Sequence, residues 1–293
     1  MTLAELVVLT LKSSVALMVF SVGLGTQLRE LTALLRSPAK LVGSLVSMNL
    51  VMLAIALAIA LLLPLRHSVQ VMLIALALSP VPPLLPRKLM QAGGGHDYVM
   101  ALLFSASVFA IFWIPFAGGV LDRIFPADVR IPAGPVIKLV SMTVLGPTLA
   151  GVVVRRAAPG LAARLEAPLG KVAGVLLLLG LALVLAKAAP LVLAQLGDGT
   201  LLAIVAFVGL GLLVGQRIGG PSPGDRSALA LATACRHPGV AMGIAHLTFP
   251  GEKGAPAALL LYLIVSAILT VPYVAWRRRV LAKDASLAAT PAG

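Results

Sequence analysis

Ser79-Pro80-Val81-Pro82-Pro83-Leu84-Leu85-Pro86-Arg87-Lys88 is the stretch on which the reading of the fold turns. It lies inside a hydrophobic segment long enough to cross a membrane. Four prolines within seven residues, Pro80, Pro82, Pro83 and Pro86, cannot sit in an unbroken helix. Each lacks a backbone N–H and crowds the carbonyl four residues earlier. Two cations follow at once. Broken backbone and charge at membrane depth are both costly, and they persist where they line a cavity or serve a function. A second such place, Cys235-Arg236-His237-Pro238-Gly239, lies near the other end of the chain, with its break at Pro238 and Gly239.

The composition says what surrounds these breaks. Of 293 residues, 60% are hydrophobic and 11% charged, with a mean hydropathy of +1.06. Soluble domains carry about 25% charged residues, so the chain reads as an all-α, multi-pass integral membrane protein. A net charge of +13 fits cations gathered in cytoplasmic loops beside anionic lipid head groups rather than nucleic-acid binding. The single cysteine, Cys235, excludes an internal disulfide. The first hydrophobic segment exceeds a signal-peptide core and reads as a retained membrane helix.

A span needs about 20 apolar residues. Nine segments meet this, at about Leu3 to Leu24, Pro38 to Leu63, Val69 to Ala92, Tyr98 to Val120, Pro132 to Val154, Leu169 to Pro190, Leu201 to Ile218, Ser227 to Thr248 and Pro256 to Trp276. They divide into a first membrane repeat, 1–122, and a second, 131–280, followed by a tail, 281–293, predicted to be disordered and cytoplasmic. Segments 3 and 8 carry the breaks. Interrupted segments at corresponding places in two halves point to a transporter site between inverted repeats.

The loops predict orientation. With the C-terminus cytoplasmic, the inner side holds Arg29, Arg36, Lys40, Arg155, Arg156, Arg164, Lys171, Arg217, Arg226, Arg277, Arg278, Arg279 and Lys283. The outer loops hold only Arg66, Arg123, Arg130, Lys187 and Lys253. This bias follows the positive-inside rule for nine helices, with the N-terminus outside, in a cell (inner) membrane.

Arg87, Lys88 and Arg236 have no carboxylate within the spans to pair with, since Glu5 near the start is the only one there. A charge at mid-bilayer costs at least about 2.5–3.5 kcal/mol. The arrangement becomes economical if the missing counter-charge is a small anionic substrate, held by Arg87, Lys88, Arg236 and His237 with Asn49, Ser105 and Ser107 as neutral contacts. Other roles stand beside this one. Arg87 and Lys88 could snorkel to the interface, and His237 could bond a carbonyl freed at Pro238 or carry a proton. Cys235 fits a small buried residue, His96 and Asp97 a solvated loop, Gly93-Gly94-Gly95 a connector, and Gly209, Gly211 and Gly215 close helix packing. No catalytic or metal-binding signature occurs, so neither an enzyme, a metal nor a cofactor is expected.

Several runs carry a likeness. They are Met18 to Thr26 (Met-Val-Phe-Ser-Val-Gly-Leu-Gly-Thr), the helix start Pro38-Ala39-Lys40, the proline-rich break at 80–86, the Gly94-Gly95 link, Pro135 to Val140, and the pattern from Ser227 to His246. In these the chain resembles the bile acid:sodium symporter family. The resemblance implies inverted repeats forming a panel domain and a core domain, with broken helices 3 and 8 crossing at the centre of the core. It also implies the nine-helix arrangement that lacks the extra first helix of ten-helix members. The function implied is secondary transport of a small organic anion or oxyanion by alternating access. The family's first sodium-binding run falls on Val81 to Pro86, its glutamate on Ala232, its Gln-Asn pair on Arg236-His237, and a preceding glutamine near Ser47 to Asn49. Hydrocarbon and guanidinium cannot supply the oxygen ligands a hard cation needs, so sodium coupling through these positions is not expected. The alternatives are a sodium-coupled symporter of bile acid-like organic acids, and a non-transporting sensor or assembly subunit on the same fold.

Overall fold

The computed structural model describes residues 3–82, 85–124 and 131–289, which are all-helical without strands. Eleven helices matter here. They are α1 (Leu3–Leu24), α2 (Pro38–Leu62), α3 (His67–Leu78), α4 (Leu85–Gln91), α5 (His96–Ile124), α6 (Ala133–Ala157), α7 (Pro159–Leu193), α8 (Thr200–Ile218), α9 (Pro223–Ala234), α10 (Pro238–Thr248) and α11 (Ala255–Ala289). Among the described residues, α1, α2, α5, α6, α7, α8 and α11 are each long and apolar enough to cross a membrane. The chain is a membrane protein.

The two predicted breaks are present. α3 has 12 residues and α4 has 7; α9 has 12 and α10 has 11. None of the four alone reaches the length of a span. The residues before the prolines are extended, as steric clash with the proline ring requires: Ser79 lies at φ −73°, ψ 149° and His237 at φ −73°, ψ 106°. Pro80, Pro82 and Pro238 stand in or beside these gaps, Pro86 begins the first turn of α4, and Gly239 lies in the first turn of α10. Pro83 lies outside the described residues.

α1, α6 and α7 pack together as one layer. Gly23 of α1 and Gly151 of α6 bring their backbones into direct contact, because a β-carbon at Gly151 would meet Phe20 O and Leu24 N. Small residues permit such approaches where lipid supplies no hydrophobic drive. Ser21 Oγ donates to Glu166 O of α7 at 2.8 Å. The other helices surround the two breaks, and the main core cluster is drawn from α2, α3, α5, α8, α10 and α11 together with Val136, Val140 and Val144 of α6 and Val192 of α7, which join it to the layer. Gly211 and Gly215 press on Ala234 and Ala230 of α9 as expected, whereas a β-carbon at Gly209 would meet nothing.

α4 ends in a Schellman motif. Gly93 takes φ +97°, with Gly94 N–H donating to Leu89 O and Gly93 N–H to Met90 O. α11 continues through residues 281–289, where composition predicted disorder. Two contacts hold it in place. Arg277 Nε donates to Ser227 Oγ at 2.6 Å, and the Leu281 side chain closes on Gly93. His96 and Asp97 form the first turn of α5 rather than a loop.

Candidate functional site

A proline removes the regular donor of the carbonyl four residues before it, and at Pro80 and Pro238 side chains from elsewhere in the fold reach those carbonyls. At the first break Leu76 O would pair with the N–H of residue 80, which Pro80 lacks; Ser79 N–H and Ser79 Oγ reach it locally, at 3.0 and 2.9 Å. Arg236 Nε donates to Leu76 O at 3.0 Å and Arg236 Nη2 to Ala77 O at 2.7 Å. At the second break Ala234 O faces the missing N–H of Pro238. The Tyr262 hydroxyl of α11 donates to it at 3.0 Å and accepts the Arg236 amide at 2.7 Å. The breaks also touch directly, His237 N–H donating to Pro80 O at 2.8 Å. His237 Nδ1 accepts the Val240 amide at 3.3 Å, capping α10, so the neutral ring carries its proton on Nε2.

Burial here is complete. Arg236 is 1% exposed and His237 2%. Arg236 Nη1 and His237 Nε2 have no partner among the described residues. Cys235 is buried, with Sγ 3.7 Å from Ser266 Oγ. Ahead of the break, Ser47 Oγ and Thr233 Oγ1 lie 2.9 Å apart, Ser47 belonging to the π-helical turn Val46–Val51 of α2. Asn49, in the same turn, is buried with Nδ2 on Leu45 O at 3.0 Å.

The predicted site residues thus divide into two groups. Arg236, His237 and the breaks come together at the crossover. Arg87 is exposed on α4 and faces elsewhere, into a cleft of about 480 Å³ between α1 and α7 on one side and α4 and α5 on the other. A β-carbon at Gly170 of α7 would stand 2.8 Å from Arg87 Nη2 and from Ser21 Oγ, so the guanidinium lies directly against the layer of α1, α6 and α7. Lys171, His96 and Glu166 share the cleft with apolar Met18, Val22 and Leu178. Among the described residues Arg87 and Lys88 form no ion pair, and Lys88 is half-buried. Ser107 is buried on Leu103 O at 2.8 Å and lines a smaller void with Val81 and Thr26. Ser105, two residues away on α5, is half-buried.

The model of the sodium bile acid symporter family matches residues 14–195, well over half of the chain. The chain belongs to that family. Its members are membrane transporters, which suggests that this symporter-family chain is one too. A comparison with curated proteins returned no match. The family match runs from α1 through α7 and stops before α9 and α10. The second break, where Arg236 and His237 stand, lies beyond it.

Sequence reasoning missed Tyr262. In the sequence it is one ring among aliphatic residues of the last span, and the donor expected for a carbonyl freed at Pro238 was His237 instead. It also counted Lys40 and Arg277 as loop charges. Lys40 Nζ pairs with Asp225 Oδ2 at 2.8 Å, and Arg277 is 6% exposed with Nη2 on Pro223 O at 3.1 Å.

Proposed function

We propose that this protein is a secondary transporter that moves a small organic anion or oxyanion by alternating access. The layer α1, α6 and α7 would act as the panel and the body around the breaks as the core. The two would rock past each other with substrate held between them. The observation that carries this reading is the cleft of about 480 Å³ along that boundary, into which Arg87 projects and where, among the described residues, it forms no ion pair, although Glu166 lines the same cleft. An unpaired guanidinium in a cleft partly walled by hydrocarbon recruits a carboxylate, sulfonate or phosphate in two-pronged fashion. Lys171 adds a second cation to the cleft, beside the one carboxylate of its lining, Glu166.

The inverted-repeat organisation is supported by element order. In each half a long helix (α2, α8) precedes a broken one (α3 with α4, α9 with α10). A long helix with an internal proline then follows, Pro115 in α5 and Pro272 in α11. Nine membrane crossings result if each broken pair counts as one. With the N-terminus outside and the C-terminus cytoplasmic in the cell membrane, the Arg87 cleft faces inward, since Lys171 and Arg29 belong to its end of the bundle. Anionic head groups would meet the cations there.

Sodium is not part of the proposed cycle. The side chains at the second crossover are Ala232, Arg236 and His237, and none offers an oxygen to a cation. A thermal-shift screen of monocarboxylates, sulfonates and oxyanions on the detergent-purified protein identifies binders. Their flux into proteoliposomes is then measured in sodium and in N-methyl-D-glucamine media. Equal flux in both is expected. Flux that requires sodium would establish the coupled symporter instead, and binding without flux the sensor.

A further inference from the structure

The last carbonyls of α3 form an electronegative mouth at the centre of the protein. A helix C-terminus carries roughly half a negative charge on its unpaired carbonyls. Here Pro80 removes the regular i+4 donor of Leu76 O, which the chain reaches only locally, through Ser79 N–H at 3.0 Å and Ser79 Oγ at 2.9 Å, and the extended backbone after Ser79 carries the chain away from Ala77 O. Carbonyls at the ends of half-helices are the groups with which broken-helix carriers coordinate inorganic cations. In this chain the two carbonyls that face the break, Leu76 O and Ala77 O, are both taken by one guanidinium, 3.0 and 2.7 Å from Nε and Nη2. That guanidinium comes from the other broken helix, 160 residues away in sequence from Leu76. Its own backbone N–H is fixed by Tyr262, and the next residue's N–H by Pro80 O.

We propose that Arg236 is a tethered cation, its guanidinium bound at the mouth of α3 where a dissociable inorganic ion would otherwise sit, so that the carrier keeps a permanent charge at its crossover and takes up no ion. The inference rests on the transporter reading but concerns a different group from the Arg87 cleft. Arg236 couples the halves in the way a bound ion would, by making one charge answer to both breaks. Its positive charge is the working feature, beyond its capacity to donate hydrogen bonds. A lysine at this position should therefore serve, whereas a small neutral residue should leave a site that free cations enter.

The test uses purified full-length protein and a binding readout. Thermal midpoints of the wild type, Arg236→Lys and Arg236→Ala are titrated with methylguanidinium chloride against equal N-methyl-D-glucamine chloride. Arg236→Ala should gain stability saturably with methylguanidinium, while the wild type and Arg236→Lys stay flat. A flat Arg236→Ala, or a wild type stabilised by sodium over potassium, overturns the proposal. Should Arg236→Ala not survive purification, maleimide labelling of Cys235, the sole cysteine, is followed in membranes. Methylguanidinium should slow it at least threefold in this variant alone, and equal labelling with and without it also overturns the idea. Anion flux by the wild type is measured separately. Its absence would end the transport reading while leaving the cation response to decide the role of Arg236.

Discussion

Tyr262 closes the second break with one hydroxyl, donating to Ala234 O at 3.0 Å and accepting from Arg236 N–H at 2.7 Å. Both groups are buried and neither has water to fall back on, so Tyr262→Phe leaves one carbonyl and one amide unanswered. An unsatisfied buried group costs about 1–3 kcal/mol. The variant should therefore lose about 2–4 kcal/mol of stability on that basis, seen as a lower thermal midpoint in detergent. It should also label faster at Cys235, one residue from the amide. A midpoint within a degree of the wild type would mean that the break is not held by this hydroxyl.

How much of this was legible follows from where each partner lies. The seven long apolar helices, the two breaks and the close contacts at Gly211 and Gly215 of α8 are local patterns, and length, small residues and proline chemistry suffice to read them. That Pro238 frees a carbonyl was legible too. The donors were not. Arg236 reaches Leu76 across 160 residues and Tyr262 reaches Ala234 across 28, and only tertiary approach selects them. Arg236 lacks an acidic partner in the sequence, which suggested substrate as its counter-charge; in the structure the helix end α3 meets it. Arg87, with the same local sequence signal, lies at the cleft. No rule of spacing separates the two.

Arg87→Gln should discriminate the cleft from the crossover. Arg87 is exposed and makes no ion pair among the described residues, so the substitution should change stability by no more than about 0.5 kcal/mol. A charge-assisted bond to substrate is worth about 1.5–3 kcal/mol, hence roughly a 10- to 100-fold rise in the KM for anion uptake. Proteoliposome kinetics measure it. An unchanged KM beside an unchanged midpoint would remove Arg87 from the substrate path.

The panel depends on backbone contact between α1 and α6. In Gly151→Ala the added carbon would stand 2.7 Å from Leu24 N, and the Phe20 carbonyl blocks retreat on the other side. The helices must part, and overpacking of this kind costs about 1–3 kcal/mol. Gly119→Ala in α5 is the control, since nothing lies within 4 Å of the new carbon. A helical glycine exchanged for alanine gains up to about 1 kcal/mol. Opposite shifts of the thermal midpoint are expected from the two single-methyl additions. Equal shifts would mean that the close approach at Gly151 is not what joins the layer.

Arg236 and Pro80 meet at one carbonyl, Leu76 O, so the two residues should be energetically coupled. Pro80 removes the regular i+4 donor of Leu76 O, leaving Ser79 N–H and Oγ as its local donors, and holds Ser79 extended, at ψ 149°. Pro80→Ala restores an N–H and relaxes Ser79, allowing α3 to close its own last turn. In that background Leu76 O gains the regular helical donor in addition to Ser79, and Arg236→Gln should cost less than it does beside Pro80. Residues sharing one hydrogen-bonded group show interaction energies of about 0.5–3 kcal/mol, and a double-mutant cycle on chemical or thermal unfolding in detergent resolves that range. Ala77 O keeps its need for the guanidinium in both backgrounds, so the coupling should be partial, with Arg236→Gln still destabilising in the Pro80→Ala background. Strict additivity would show that the guanidinium is held at α3 by its charge and the helix end as a whole, with Leu76 O playing no separate part.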